Sequence, residues 1–332
     1  MATLDTTLPS LAFPHEVDEL DITASTSTKV ELRYNGKTIF SSSLFPVDGR
    51  IELRDITSLI DSYLVAEVKT FEVYLDGSRA DYTSLIPCRL WVDCHAEDLD
   101  GFFLTRATEK YTHPGAREKL VLYANNPTVY ITAIGQHKET GEVAKVEIVR
   151  EISSSGLAIL DLLGMLNTTS ESHNILRYIV QVGKSKITYH MIPDGMADNV
   201  HDFGFINSFN QEEYITLTGA AVRELKVERR SAIIGGQYRN FEADAVPHWT
   251  VDSGMMLDGM GGLFDDLISA TKVWRVGDNV QMAVTDSDFK VADDNATALQ
   301  GSVTLRETGR KYRHHVAQQA RTFDITFDST FL

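Results

Sequence analysis

Apolar and polar residues alternate along most of this chain, and this period of two residues is the feature that most constrains its fold. The alternation is clear in residues 29–34, and again in residues 71–75 and 224–228. It places successive side chains on opposite faces of an extended strand. Dipeptides typical of tight hairpin turns separate such segments, namely Asn35-Gly36, Asp48-Gly49, Asp76-Gly77 and Gly235-Gly236. The pattern therefore predicts an all-β protein, mainly β, built from many short strands.

Only three segments have a helical arrangement of apolar residues, at 56–64, 157–166 and 263–268. We expect Asp55 to cap the first of these helices, because a short polar side chain there accepts a backbone N–H. Many short strands at regular turn spacing are typical of sandwiches and barrels. The sequence therefore predicts β-sandwich or barrel-like domains with a few short helices.

A chain of 332 residues exceeds the usual size of one hydrophobic core, so we expect two domains. The polar, turn-rich segment 193–199 is the best boundary between them. We predict an N-terminal arm at residues 1–16, which lack periodicity, and a β-sandwich domain at 17–196. A second β-rich domain with a C-terminal strand follows at 197–332.

The formal net charge of -16 excludes duplex DNA or RNA as the main partner, since phosphate binding needs a basic surface. The longest apolar-rich stretch, residues 156–166, is much shorter than the ~20 residues of a membrane-spanning helix. Residues 1–13 lack the basic start and apolar run of a secretory signal. We therefore expect a chain that stays in the cytoplasm or is packed into a particle assembled there.

Cys88 and Cys94 are six residues apart in an alternating segment. On a straight strand they would share one face about 20 Å apart, which is too far for a disulfide bond. We expect both to be buried, reduced thiols.

No catalytic or cofactor motif is present in the sequence. The glycine-rich segment 259–262 lacks the spacings of dinucleotide-binding and phosphate-binding loops, and no GxSxG nucleophile elbow occurs. The histidines have no metal-binding spacing, and the acidic residues at 286–294 do not fit an EF-hand loop. We therefore predict that the protein is not an enzyme and has no metal ion or cofactor.

Several side chains are candidates for interaction. Trp91 and Trp249 are candidates for stacking on sugar rings, with a core or subunit contact as the alternative for each. The apolar run 157–166 would cover all sides of a helix, so we expect Leu163 and its neighbours to lie against another domain or subunit. Alternation at the C-terminus predicts a strand that joins its own sheet or a neighbour's edge. Its apolar residues are Phe323, Ile325, Phe327 and Phe331.

Residues 203–210 read Phe-Gly-Phe-Ile-Asn-Ser-Phe-Asn and are followed by Glu212, Glu213 and a strand-like segment. This aromatic-x-Asn-x-Phe-Asn pattern resembles that of uncharacterised phage and prophage virion proteins of the Bacteroides group. Three further segments resemble the same family, at 45–56, 231–239 and 321–328. The resemblance implies a tail or baseplate component, and it implies no particular functional residues.

Two hypotheses for function follow. The first is a phage tail or baseplate structural protein that forms a ring homo-oligomer with itself and binds other tail proteins in the virion. It would assemble through packing of its β-domains and through its terminal arms. The alternative is a carbohydrate-binding module for host-surface glycans. A depolymerising enzyme on the same scaffold is a third hypothesis, although no pair of carboxylates is singled out for glycoside hydrolysis.

Overall fold

The computed structural model of the protein describes residues 2–99, 101–152, 155–197, 200–290 and 299–308. Strands account for 56% and helices for 12% of the structure, whereas helices make up about 30–35% of a typical globular protein. The predicted all-β class with a few short helices is therefore confirmed.

The strands of the described residues are numbered in chain order. They are β1 Thr3–Leu4, β2 Leu11–Ala12, β3 Leu20–Thr23, β4 Thr28–Tyr34, β5 Lys37–Leu44, β6 Arg50–Leu53, β7 Lys69–Leu75, β8 Ser78–Leu85, β9 Phe102–Phe103, β10 Glu109–Thr112, β11 Leu120–Asn125, β12 Thr128–His137, β13 Val143–Glu151, β14 Ser155–Leu160, β15 His173–Val182, β16 Ser185–Met191, β17 His201–Ile206, β18 Glu212–Leu217, β19 Ala221–Ile234, β20 Gln237–Asp252, β21 Val273–Arg275, β22 Val280–Lys290 and β23 Gln300–Glu307. The helices are α1 Ile56–Asp61, α2 Leu162–Ser172, α3 Asp194–Ala197 and α4 Gly261–Ser269. Short 3-10 turns lie at Pro14–Val17, Ala96–Asp98 and Asp258–Met260.

The N-terminal part of the chain forms two sheets that share one core. One sheet has the strand order β1-β3-β6 and the other β2-β8-β7-β4-β5. Ile22 of the first sheet and Val73 of the second are fully buried in the same hydrophobic cluster. The β4–β5 hairpin turns at Asn35 and Gly36, whose φ angles are 51° and 72°. An Asn-Gly pair suits this turn because both residues tolerate positive φ.

Three further sheets surround the largest hydrophobic cluster. Their strand orders are β14-β11-β9, β10-β16-β15-β12-β13 and β18-β17-β21-β22-β23-β20-β19. Helix α4 buries Leu263, Phe264 and Leu267 in this cluster, as its apolar stripe predicts. Gly204 of β17 lies under the indole of Trp274, where an added Cβ would come within 2.3 Å of the ring. Residues 203–213 are here called the distinctive segment. Close packing requires the glycine that lies between its two buried phenylalanines, Phe203 and Phe205.

The single helix predicted at 157–166 is wrong. Residues 155–160 form β14, which pairs with β11, and α2 begins only at Leu162. Leu160, Leu162 and Leu166 are buried, but Ile159 is 65% exposed, so the run is covered only in part. The prediction failed because a short apolar run fits a strand as well as a helix.

The predicted strand through Cys88 and Cys94 is also wrong, because residues 86–95 form a loop that contains no strand. Cys88 is buried, whereas Cys94 is exposed. Only the first thiol therefore has the environment that alternation predicts, and burial raises the pKa of Cys88 to about 12.

Helix α1 ends at Asp61, earlier than predicted, and Asp55 does not cap it with a backbone hydrogen bond. Asp55 has a φ of 62° and accepts a hydrogen bond from the hydroxyl of Ser58. The backbone N–H of Thr57 donates instead to Oδ1 of Asp18, at 2.8 Å. A distant carboxylate thus supplies the cap that a local one was expected to give.

Residues 1–16, the predicted N-terminal arm, contain β1, which pairs with β3, and β2, which pairs with β8. Ala12 and Phe13 are fully buried. The largest hydrophobic cluster contains Tyr189 and Phe203, which lie on either side of the predicted boundary at 196/197. The division of the chain into domains stays a prediction.

Candidate functional site

A long β-hairpin projects from one edge of the seven-stranded sheet. Strands β19 and β20 pair along 14 positions, whereas, among the described residues, β23 pairs with β20 only at residues 248–252. Within the part of the chain that the structure describes, residues 225–247, here called the arm, extend beyond the sheet as a two-stranded ribbon. Ten residues of extended strand give the arm a reach of about 33 Å. The turn at its tip is Gly235-Gly236, with φ angles of 61° and 76°, as the sequence predicts.

One face of the arm carries exposed apolar side chains. Leu225 is 56% exposed and Ile233 is 73% exposed. They are eight residues apart in β19, so the alternation of a strand places both on the same face. Ile233 pairs with Tyr238 of β20, which is 77% exposed. Arg229 and Ser231 lie between these apolar positions on the same strand face. Leu225 therefore stands apart, whereas Ile233 and Tyr238 form a small exposed apolar patch near the tip that is suited to contact with another molecule.

The far half of the arm is basic, although the whole chain is acidic. This half, residues 229–243, contains three arginines, Arg229, Arg230 and Arg239, and one acidic residue, Glu242, which lies opposite Arg230 in the strand register. All three arginines are exposed. Since the chain has a formal charge of -16, the rest of the molecule supplies acidic surface that complements this half of the arm.

A cleft of about 550 Å³ contains Trp91, the first of the tryptophans predicted to stack on sugars. Trp91 is 73% exposed, and its ring centroid lies 4.7 Å from that of His15. The carboxylates of Glu16 and Glu97 also line the cleft. An open aromatic ring beside carboxylate acceptors is an arrangement that suits a polyhydroxylated ligand.

Hydrogen bonds fix the polar groups of this cleft. Nδ1 of His95 lies 2.7 Å from Oε1 of Glu16, and this contact raises the pKa of His95. Burial lowers the pKa of the neighbouring His15. The exposed Cys94 belongs to the same cleft, and partial burial raises the pKa of its thiol. A thiol with a raised pKa is less ionised at neutral pH, which makes Cys94 a weak nucleophile.

The second predicted tryptophan, Trp249, is only partly exposed and is engaged by charged groups of its own sheet. The guanidinium carbon of Arg275 lies 4.6 Å from the Trp249 ring centroid, and that of Arg223 lies 5.7 Å from it. The indole N–H donates to Oε1 of Glu307 at 3.2 Å. Trp249 therefore ties β20 to β21 and β23, and its predicted role in sugar stacking stays a prediction.

The side chains of the predicted assembly residues lie outside the part of the chain that the structure describes. Leu163 lies in α2, and its side chain is not among those described. The C-terminal strand, with Phe323, Ile325, Phe327 and Phe331, lies outside the described residues. The role of these five residues in assembly stays a prediction.

A group of charged and polar side chains is buried between β10, β18 and the segments next to them. This Lys110 cluster consists of Lys110, Glu118, Asn207 and Glu213. Nζ of Lys110 lies 3.2 Å from Oε1 of Glu213 and 3.7 Å from Oε2 of Glu118. Burial raises the pKa of Glu118 to about 7, and the nearby Lys110 ammonium opposes that rise. Sequence reasoning missed this cluster because its residues are far apart in the chain.

Asn207 organises the turn between β17 and β18. Its Oδ1 accepts the backbone N–H of Phe209 at 3.0 Å and that of Gln211 at 2.9 Å. Its Nδ2 donates to the carbonyl of Leu104 at 2.8 Å and to Oε2 of Glu213 at 2.6 Å. Asn207 and Glu213 belong to the distinctive segment, so that segment encodes a buried polar arrangement.

Among the described residues, no three His, Cys, Asp or Glu side chains come together as a metal site requires. No helix in the described ranges is long and apolar enough to cross a lipid bilayer. No protein-family model matches the chain, and no curated protein matches it.

Proposed function

We propose that this protein is a structural component of a phage tail or baseplate, which assembles by packing of its β-domains and by contacts of the arm with a neighbouring copy. The arm is the observation that carries the proposal. It holds Leu225 at its root and Ile233 and Tyr238 near its tip in solvent, and along most of its length no other strand of the described residues pairs with it. A two-stranded hairpin by itself is marginally stable in water, so contact with a partner would stabilise it.

Charge supports a second copy of this chain as the partner. The basic far half of the arm complements the acidic surface of the same protein, and such complementarity orients and speeds association. The resemblance of residues 203–210 to virion proteins supports the phage tail as the setting. The predicted C-terminal strand would add a second contact, since an unpaired strand can extend a neighbour's sheet.

The arm contact is tested by Ile233→Asp, which places a carboxylate on its apolar face. We expect the parent protein to form an oligomer, and light scattering or native mass spectrometry measures its mass. The variant should shift toward monomer at the same concentration, because burying an unpaired charge opposes association.

Val143→Asp is the matched control, because Val143 is also a branched apolar side chain on a strand, β13, and is 65% exposed. It should leave the oligomer unchanged. A parent that stays monomeric at high concentration contradicts the proposal, and so does an Ile233→Asp protein that assembles like the parent. Immunogold labelling of purified phage particles tests the virion assignment separately, and unlabelled tails would contradict it.

The alternative function, binding of host-surface glycans, is favoured by one observation, the exposed Trp91 in its cleft. A ligand sugar would stack on the indole while its hydroxyls donate to the carboxylate of Glu97. We expect calorimetry with host polysaccharide to give binding that Trp91→Ala abolishes and Trp249→Phe retains. If no host polysaccharide binds, this alternative fails while the assembly proposal stands.

A further inference from the structure

We propose that Lys110 and Asn207 form an intramolecular amide bond, in which Nζ of the lysine replaces the side-chain nitrogen of the asparagine and ammonia leaves. Glu213 would carry the protons. The bond would join β10 to the turn between β17 and β18. This modification is independent of the proposed function, since it rests on the chemistry of the Lys110 cluster alone.

The nucleophile is a lysine in an environment that ordinary lysines avoid. Lys110 is 1% exposed, and Nζ lies 6.0 Å from the ring centroid of Tyr189, which stacks on Tyr178. Although Nζ is 3.2 Å from Oε1 of Glu213, it makes no hydrogen bond of good geometry within the described part of the chain. A buried ammonium without such a bond pays a large desolvation cost. Conversion to a neutral amide would remove that cost.

The electrophile is the side-chain amide of Asn207, whose carbonyl is already polarised. Two backbone N–H groups, from Phe209 and Gln211, donate to Oδ1 at 3.0 and 2.9 Å. Attack at Cγ turns this oxygen into an oxyanion, and two fixed N–H donors are the arrangement that stabilises such a charge. The turn thus supplies an oxyanion site at the only carbon where the reaction would occur.

The carboxylate of Glu213 connects the two reacting groups. Its Oε1 faces the Lys110 ammonium at 3.2 Å, while its Oε2 accepts from Nδ2 of Asn207 at 2.6 Å. The hydroxyl of Thr105 also donates to Oε1 and holds the carboxylate in place. A base that touches both the nucleophile and the leaving group meets the geometric requirement for general acid–base catalysis.

The protons and bonds balance without any other reactant. The ammonium of Lys110 first gives a proton to Glu213, and the free amine attacks Cγ of Asn207. The protonated Glu213 then protonates Nδ2, the Cγ–Nδ2 bond breaks, and ammonia leaves. The new amide nitrogen returns one proton to Glu213, which ends as a neutral carboxyl. The buried ion pair is replaced by a neutral amide and a neutral acid, which lowers the desolvation penalty of the core.

Intact-mass spectrometry of the folded protein tests the bond directly. We expect a mass lower than that of the sequence by one ammonia, about 17 Da. Trypsin should leave Lys110 uncleaved and release one joined species, made of residues 107–117 and 187–223. Peptide mapping is essential because Asn35-Gly36 can also lose ammonia by forming a succinimide. A loss that maps to Asn35 would overturn the proposal, as would a folded parent of full sequence mass after prolonged incubation.

Two variants separate the reaction from mere burial of the lysine. Lys110→Met removes the nucleophile, and Glu213→Gln removes the base while it keeps the size of the side chain; each should retain the full mass. The control is Lys119→Met, because Lys119 pairs with the adjacent Glu212 at 3.1 Å and lies outside the cluster. It should lose ammonia like the parent. If Lys110→Met does not fold, Glu213→Gln decides, and a mapped loss in that variant would contradict the role of Glu213.

Discussion

Apolar side chains usually lie inside a protein and charged ones at its surface. The arm and the Lys110 cluster depart from this rule in opposite directions. The arm holds Leu225, Ile233 and Tyr238 in solvent, whereas the cluster holds Lys110 and Glu213 out of it. Both arrangements cost free energy, since apolar groups favour burial and charges favour water. The comparison shows that each cost requires a compensating interaction. For the arm this is contact with another molecule, and for the cluster it is ion pairing or conversion of the lysine to an amide.

The largest effect should come from breaking the buried ion pair. In protein in which Lys110 is still an ammonium, Glu213→Ala removes the nearer of its two buried carboxylates and leaves only Glu118, at 3.7 Å, so the free energy of unfolding should fall by about 3–5 kcal/mol. Urea denaturation of the variant and the parent measures this difference.

Glu212→Ala is the matched control, because Glu212 is the neighbouring residue and forms a partly exposed pair with Lys119. An exposed pair contributes at most about 1 kcal/mol. If the two variants lose equal free energy of unfolding, the buried ion pair of the cluster is no stronger than the exposed pair.

The second effect compares one side chain in two settings of the same sheet. Leu305→Ala in β23, where the leucine is fully buried, should cost about 2–5 kcal/mol. Leu225→Ala on the arm should change the stability of the monomer by less than about 0.5 kcal/mol. Thermal or urea unfolding at a dilution where the protein is monomeric gives both values. A large loss at Leu225 would show that the arm packs on its own subunit.

The third effect is a change of stability with pH that arises from Glu118. Burial raises its pKa from 4.5 to about 7, so the folded protein binds more protons than the unfolded chain between these values. Stability should therefore fall as the pH rises from about 5 to 7 and then level off.

Glu118→Gln should flatten this part of the profile, because an amide of the same size does not titrate. Unfolding free energies from urea titrations at several pH values provide the measurement. If the stability of the parent relative to Glu118→Gln rises with pH across that window, the raised pKa of Glu118 is contradicted.

Local signals predicted the strands and turns well. Alternation and the glycine-containing dipeptides located the β4–β5 hairpin and the Gly235-Gly236 turn of the arm, since positive φ is a property of the residues themselves. The errors at 157–166 and at Cys88 to Cys94 have a different origin. Whether an apolar run becomes a strand depends on a partner strand, such as β11 for β14, and no local pattern supplies that partner.

The candidate sites depended still less on local pattern. Alternation at 224–228 predicted two faces of a strand, but only the sheet order reveals that the arm projects past β23 with one face uncovered. Lys110 and Glu213 are separated by about a hundred residues and meet through the packing of β10 near β18. The distinctive segment marked Asn207 and Glu213 as unusual, yet it gave no sign that a lysine lies against them.

The length of the arm has a mechanical consequence. Its reach of about 33 Å exceeds the radius of gyration of about 20 Å expected for a compact chain of this size. A force applied at the tip therefore acts far from the centre of the subunit and produces a large torque on it. A joint held at both the root and the tip of such a ribbon resists twisting and shear more strongly than a single patch of the same area. If the proposed assembly forms through the arm, this hairpin would contribute stiffness against torque as well as affinity.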